Sequence, residues 1–189
     1  MQQKYREKPS KIEGTSVLVV WLIGISGAGK TTLGTRLQEY YQQKGTPNYL
    51  LDGDEARSIF DGDLGYSRED REANIKRIIL AAYVLDRCDI VAIVCNISPF
   101  ESLRSLARSK IVRYHEIYLR KDVSISKKDD IKGVYADNYG KTELIGVDIG
   151  FDEPLNPSLI IEVDRESVED SYQKLISYIE GRMADGAKI

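Results

Sequence analysis

The sequence predicts an α/β protein in which one parallel five-stranded sheet is sandwiched between two layers of helices. Three observations carry this. Short runs that are apolar at nearly every position, such as Val17–Ile23 and Ile90–Cys95, suit strands buried on both faces, as in a parallel sheet. These runs alternate with amphipathic helical stretches, the arrangement in which a helix makes each parallel crossover. The loop after the first run, Gly24-Ile25-Ser26-Gly27-Ala28-Gly29-Lys30-Thr31, fits G-x-x-x-x-G-K-[ST] at every fixed position, with a strand before it and a helix after.

The elements follow in order. After the strand Val17–Ile23, helical spacing of Leu33, Leu37, Tyr40 and Tyr41 runs from Lys30 to about Lys44, and Gly45 stands where a helix stops. Tyr49–Leu51 is a second strand ending at Asp52-Gly53-Asp54. Helical signals resume at Glu55, break around Gly62–Gly65 and restart at Ser67, an N-cap with Asp70 three residues on, continuing to about Asp86. Ile90–Cys95 is the third strand, and Asn96-Ile97-Ser98-Pro99 at its end opens another helix. Glu116–Leu119 and Leu159–Val163 are the fourth and fifth strands, and Ser167 caps a C-terminal helix to about Met183. From about Lys127 to Pro154 the chain is charged and weakly periodic, long for a plain connection, and reads as a lid. Residues 1–16 form a polar, flexible arm, and 17–189 a single domain.

Composition narrows the classes. The 189 residues can bury roughly 70% of their unfolded surface without staples. With 27 basic and 30 acidic residues and a net charge of −3, the chain has no general attraction for nucleic acid or an anionic membrane, and neither is an expected partner. Any anion site must be built locally. Cys88 and Cys95 are too few for a disulfide framework and lack metal-ligand spacing, so both read as buried small hydrophobes. No signal peptide and no membrane span is expected, and a reducing cytoplasm fits.

The glycine-rich loop implies nucleotide phosphates. Without Cβ atoms, consecutive N–H groups of Gly27, Ala28, Gly29, Lys30, Thr31 and Thr32 can curl around a phosphate at the positive end of a helix. Lys30 would reach the β/γ-phosphates and Thr31 would hold Mg²⁺, so ATP and Mg²⁺ are the expected cofactors. Switch GTPases need an Asn-Lys-x-Asp base reader, which the sequence lacks, and many phosphate-loop ATPases end an apolar strand in Asp-Glu, where this one ends in Asn96. Kinases of small substrates remain, and the fold class becomes a P-loop kinase-type three-layer sandwich with a lid. Ile160–Asp164 imitates a Walker-B strand but lies too far along the chain.

Asp52 and Asp54 flank a glycine just past a strand. One could hold Mg²⁺ and the other take the proton of an attacking hydroxyl, with helix capping the competing reading for Asp54. Arg57, Arg71 and Asn74 form a possible clamp, since arginine reads phosphate or sulfate bidentately; Arg71, Asn74 and Arg77 share a helix face. The alternative there is a solvated charged helix. Lone His115 reads as structural.

In this order and with these gaps, Gly24–Thr32, Leu51-Asp52-Gly53-Asp54 with Arg57, Leu64–Ile75 with Arg77, Ile97-Ser98-Pro99-Phe100, Lys132-Gly133-Val134-Tyr135, Gly146-Val147-Asp148 and Glu153-Pro154 resemble the adenylylsulfate (APS) kinase family over about Trp21–Val163. The resemblance implies transfer of phosphate from MgATP to the 3′-hydroxyl of APS, giving 3′-phosphoadenylylsulfate. It implies Asp54, Arg57, Tyr66, Arg71, Asn74, Lys132, Leu144 and the segment at Ile97 and Ser98 on the nucleotide acceptor, Thr31 and Asp52 on the metal, and a homodimer. Ser98 is sometimes described in the family as phosphorylated; direct in-line transfer is preferred here because no base accompanies that serine. The chain departs from the family at Tyr66, usually Phe, at Asp129, usually Arg, and at Leu144-Ile145, usually Phe-Thr. Those departures keep two other readings in view: the same chemistry on another nucleotide-activated acceptor, such as a CDP-linked phosphoramidate, and a non-catalytic domain that binds nucleotide and regulates a partner.

Overall fold

The structure, a computed structural model, describes residues 18–60, 63–122, 145 and 149–186. The arm at 1–16, most of the stretch 127–154, and with it Asp129, Lys132 and Leu144, lie outside the described residues. The elements are β1 (Val19–Ile23), α1 (Lys30–Gln43), β2 (Asn48–Asp52), α2 (Gly53–Ser58), α3 (Arg68–Arg87), β3 (Val91–Cys95), α4 (Glu101–Lys110), β4 (Tyr114–Arg120), β5 (Leu159–Glu162) and α5 (Val168–Gly186). The five strands form one sheet in the order β2-β3-β1-β4-β5, and every pair is parallel.

Strand periodicity builds the three layers. Every residue of β1 is buried, and alternate ones point to opposite faces. Val20 and Leu22 pack with Leu33, Leu37 and Tyr41 of α1 and with Leu175 and Ile179 of α5. Val19, Trp21 and Ile23 pack with Ile75, Ile78 and Ala82 of α3 and Leu103 and Ala107 of α4. Each such apolar side chain contributes roughly 1.5–3 kcal/mol by leaving water, so the central strand anchors both layers. Gly45, at φ +66, ends α1 as expected, its N–H donating back to Gln42.

Several boundaries differ from the sequence reading. α2 begins at Gly53 rather than Glu55, because the Asp52 side chain caps it. α4 begins only at Glu101: Phe100 stays extended, and the cap comes from afar, Asp152 Oδ2 accepting from the Glu101 N–H at 3.0 Å. Cys88 is exposed, not buried, because it is the residue on which α3 ends; Cys95 is buried as expected. Among the described residues no helix is long and apolar enough to cross a membrane.

His115, the second residue of β4, packs edge-on against Tyr178 of α5, its Nδ1 2.7 Å from the phenolic oxygen. Burial, and secondly the Arg182 guanidinium, push its pKa below the ordinary 6.5. The unfolded chain therefore takes up a proton before the folded one does. The resulting stability is present above about pH 6.5 and is lost as the pH falls through the lower folded value. Urea unfolding followed between about pH 7.5 and 5.5 should show wild-type stability falling toward acid more steeply than that of His115→Gln.

Candidate active site

Parallel pairing brings the outgoing ends of β1, β3 and β2 level: Leu22 lies beside Cys95, and Cys95 beside Asp52. The loops that leave these three strands consequently meet at one edge, where an open parallel sheet binds ligands. They enclose a cavity of about 380 Å³.

One wall is the phosphate loop. Gly29 takes φ +84 at the N-cap of α1, and Gly24 lies so close to β4 that a Cβ would stand 2.5 Å from the Leu119 carbonyl oxygen. Lys30 folds back over the loop, its Nζ donating to the carbonyls of Gly24 at 2.9 Å and Ile25 at 2.8 Å. Thr31 Oγ1 donates to Asp52 Oδ2 at 3.1 Å, while Asp52 Oδ1 accepts from the Asp54 N–H at 2.9 Å. The capping carboxylate is thus Asp52 and not Asp54, which is exposed along the cavity. Gly27, Gly29 and Thr32 line this cavity as well. Ala28, buried, lines a second one of about 300 Å³, with Lys121, Val163, Asp164 and Glu166; the two share Gly27, Gly29, Thr32 and Val168.

The opposite wall comes from α2, α3 and the segment between them. Arg57 donates to the carbonyls of Leu64 and Gly65, and its guanidinium lies 4.7 Å from the centre of the half-exposed Tyr66 ring. Arg71 Nε donates to the Tyr66 carbonyl at 2.8 Å, and its guanidinium lies 5.3 Å from the same ring. Tyr66 is therefore held by two cations at cation–π range. Asn74, 2% exposed, donates to the Gly53 carbonyl at 3.1 Å and supports the turn between the two aspartates. Arg77, on the same helix face, pairs with Asp63 and does not line the cavity.

Ser98 sits differently from the expectation of a catalytic hydroxyl. It is 1% exposed and does not line the cavity, although Ile97 and Pro99 do. At φ +48 its hydroxyl accepts from Trp21 Nε1 at 2.9 Å and donates to Asn96 Oδ1 at 3.0 Å. The sequence reading brought Lys30, Thr31, Asp52, Asp54, Arg57, Tyr66, Arg71, Asn74 and Ile97 to one cavity. Ile75, Pro99, Ile145 and Asn96 line the cavity too; the sequence reading names none of them as a site residue, although it places the stretch Asn96–Phe100 at this edge of the sheet, beyond a strand end. Cys95 also lines the cavity, but burial, with the Asp52 carboxylate second, pushes its thiol up to about 12.

A parallel sheet with a phosphate loop leaving its central strand, faced by a carboxylate and arginine wall, defines a small-molecule kinase of the P-loop class. A model of the adenylylsulphate kinase family matches residues 16–162. Adenylyl-sulfate kinases of Halothermothrix orenii and Geotalea uraniireducens are 35% and 36% identical to the chain, covering 86% and 93% of it and 89% and 86% of their own lengths. The solved Mycobacterium tuberculosis APS kinase in complex with AMPPNP and APS superposes with a TM-score of 0.80 at 30% identity, over 87% of this chain and 98% of that one. A gluconokinase of Sinorhizobium meliloti, at 13% identity and a TM-score of 0.58, shares the fold. The chain belongs to the adenylylsulphate kinase family.

Thiol reactivity checks the two cysteine environments. A maleimide at neutral pH should label the native protein at Cys88 alone, label native Cys88→Ser not at all, and reach Cys95 only after denaturation, since a buried thiol of high pKa supplies no thiolate.

Proposed function

We propose that this protein is an ATP-dependent adenylylsulfate kinase, transferring the γ-phosphoryl group to the 3′-hydroxyl of APS. The observation that carries the reading is the Thr31–Asp52 bond, which joins the phosphate loop to a turn whose other aspartate opens on the arginine wall. Donor and acceptor groups share one cavity. The relatives named above act as adenylyl-sulfate kinases, and the solved neighbour holds AMPPNP and APS.

Lys30 leaves its two loop carbonyls to meet the β/γ-phosphates, and the N–H groups of Gly27–Thr32 hold the remaining phosphate charge. The donor nucleoside extends toward the second cavity, past Ala28 and Thr32. Thr31 Oγ1 and the Asp52 carboxylate are hard oxygen donors at one spot, a set that suits Mg²⁺, which keeps waters and phosphates as its other ligands. The ion, when bound, neutralises charge developing on the transferred phosphate. Asp54 accepts the proton of the acceptor hydroxyl, Arg57 and Arg71 hold the acceptor's anionic group, and Tyr66 offers its ring to the base. Asn74 holds the turn that presents Asp54. The burial of Ser98 supports direct in-line transfer, with Ile97 and the backbone at Ser98 shaping the acceptor wall. By resemblance to the family, Lys132 and Leu144 complete the site, the chain pairs as a homodimer, and it works in the cytoplasm; sedimentation of the purified protein checks the pairing.

Asp54→Asn should leave the Kd for ATP nearly unchanged and lower kcat on APS by about 10²-fold or more, while Lys30→Ala should abolish turnover. A coupled assay of ADP release reads both. Run on a CDP-linked phosphoramidate, the same assay tests the alternative acceptor, and rapid turnover of that compound with none of APS would overturn the assignment. ATP-dependent turnover lost in Lys30→Ala removes the regulatory reading.

A further inference from the structure

Asn96 follows the last residue of β3 and lines the cavity beside Gly53. Its Oδ1 accepts two hydrogen bonds, from the Ser98 N–H at 2.8 Å and from the Ser98 hydroxyl at 3.0 Å. A backbone N–H can only donate, so the amide oxygen is the atom facing Ser98, and the nitrogen turns the other way. That nitrogen rests on Gly53 so closely that a Cβ there would lie 2.3 Å from it. It makes no hydrogen bond with any described residue.

The anchor is itself fixed. Ser98 holds its left-handed conformation with its hydroxyl on Trp21 and its carbonyl accepting from Arg104 Nη1 at 2.7 Å, and Arg104 is 1% exposed. The amide therefore cannot swing without breaking a buried network, and its N–H₂ is held over the glycine between Asp52 and Asp54. Asp52 bonds the phosphate loop through Thr31; Asp54 opens on the wall of Arg57 and Tyr66. The nitrogen thus adjoins the glycine that joins the aspartate of the phosphate-loop side to the aspartate of the arginine wall.

The geometry points to Asn96 Nδ2 as a hydrogen-bond donor to the phosphoryl group in transit. The inference rests on the kinase reading above. In the transfer, the acceptor hydroxyl oxygen bonds to the γ-phosphorus as the bond from that phosphorus to the β–γ bridging oxygen breaks. The hydroxyl proton passes to the Asp54 carboxylate, and ADP leaves. Asn96 gives up no proton; it holds charge on a non-bridging oxygen. A neutral amide suits this place, because it does not compete for the hydroxyl proton and, already anchored through its oxygen, needs no reorganisation as charge develops. A carboxylate at this strand end would repel the same group.

Two variants separate this role from support of the Ser98 turn. Asn96→Asp keeps an oxygen facing Ser98 and removes the donor; Asn96→Ala removes both. In each, kcat should fall about 100-fold, while the Kd for ADP and the KM for APS move less than about threefold. Binding of ADP with aluminium fluoride, a mimic of the group in transit, should weaken at least about tenfold in calorimetry. The inference is overturned if either variant keeps kcat within about threefold of wild type, or if kcat falls while affinity for the fluoride complex does not. Absence of APS turnover in the wild type would instead refute the kinase reading, and fluoride-complex affinity would still decide the part played by Asn96.

Discussion

The alignment of β2, β3 and β1 is the constraint on which the site depends. Cys95 stands level with Leu22 on one side and Asp52 on the other, so three chain exits open at one height. A slip of one residue in β1 would turn Trp21 toward α1 and α5 and Leu22 toward α3 and α4, exchanging two differently shaped cores. Both faces of the sheet are covered, and that makes the register expensive to change. The contact from Thr31 to Asp52 follows from it, since one residue stands in the first turn of α1 and the other closes β2.

Around that edge, polar groups are satisfied in a way that divides the work. Asp52 has two oxygens and two jobs: one caps α2 and the other meets Thr31. Asp54, relieved of capping, opens on the cavity. Behind the acceptor wall, the buried Arg104 donates to the Ser98 and Asp152 carbonyls and to Glu101, and Asp152 in turn caps α4. A guanidinium so deeply buried persists only when its donors are satisfied. Its contacts tie the β3–α4 loop, which carries Asn96, Ile97 and Pro99, to the segment at 152.

Much of this was legible in the residues. The apolar runs became strands because a strand buried on both faces has no other composition available to it, and Ser67 and Ser167 cap their helices as their spacing implied. Less legible were the places where a side chain's direction depends on distant partners. The four-residue run at Ile97–Phe100 does reach the cavity through Ile97 and Pro99, yet nothing local reveals that Ser98 turns its hydroxyl to Trp21, 77 residues earlier. Cys88 reads as a buried small hydrophobe near a strand because it lacks disulfide or metal-ligand spacing, but the helix ends there and the residue is exposed.

By itself the sequence determined the chemistry on offer: a glycine loop able to wrap phosphate, two aspartates flanking a glycine, a pair of arginines, and strands fit only for a covered parallel sheet. Those are properties of residue type and spacing, and they survive any arrangement in space. Tertiary structure decided the roles. It made Asp52 rather than Asp54 the cap, took Ser98 out of the cavity, and set the nitrogen of Asn96 against Gly53. Each of these depends on which hydrogen-bond partners the sheet register brings within about 3 Å, and that distance is set by packing across the whole domain.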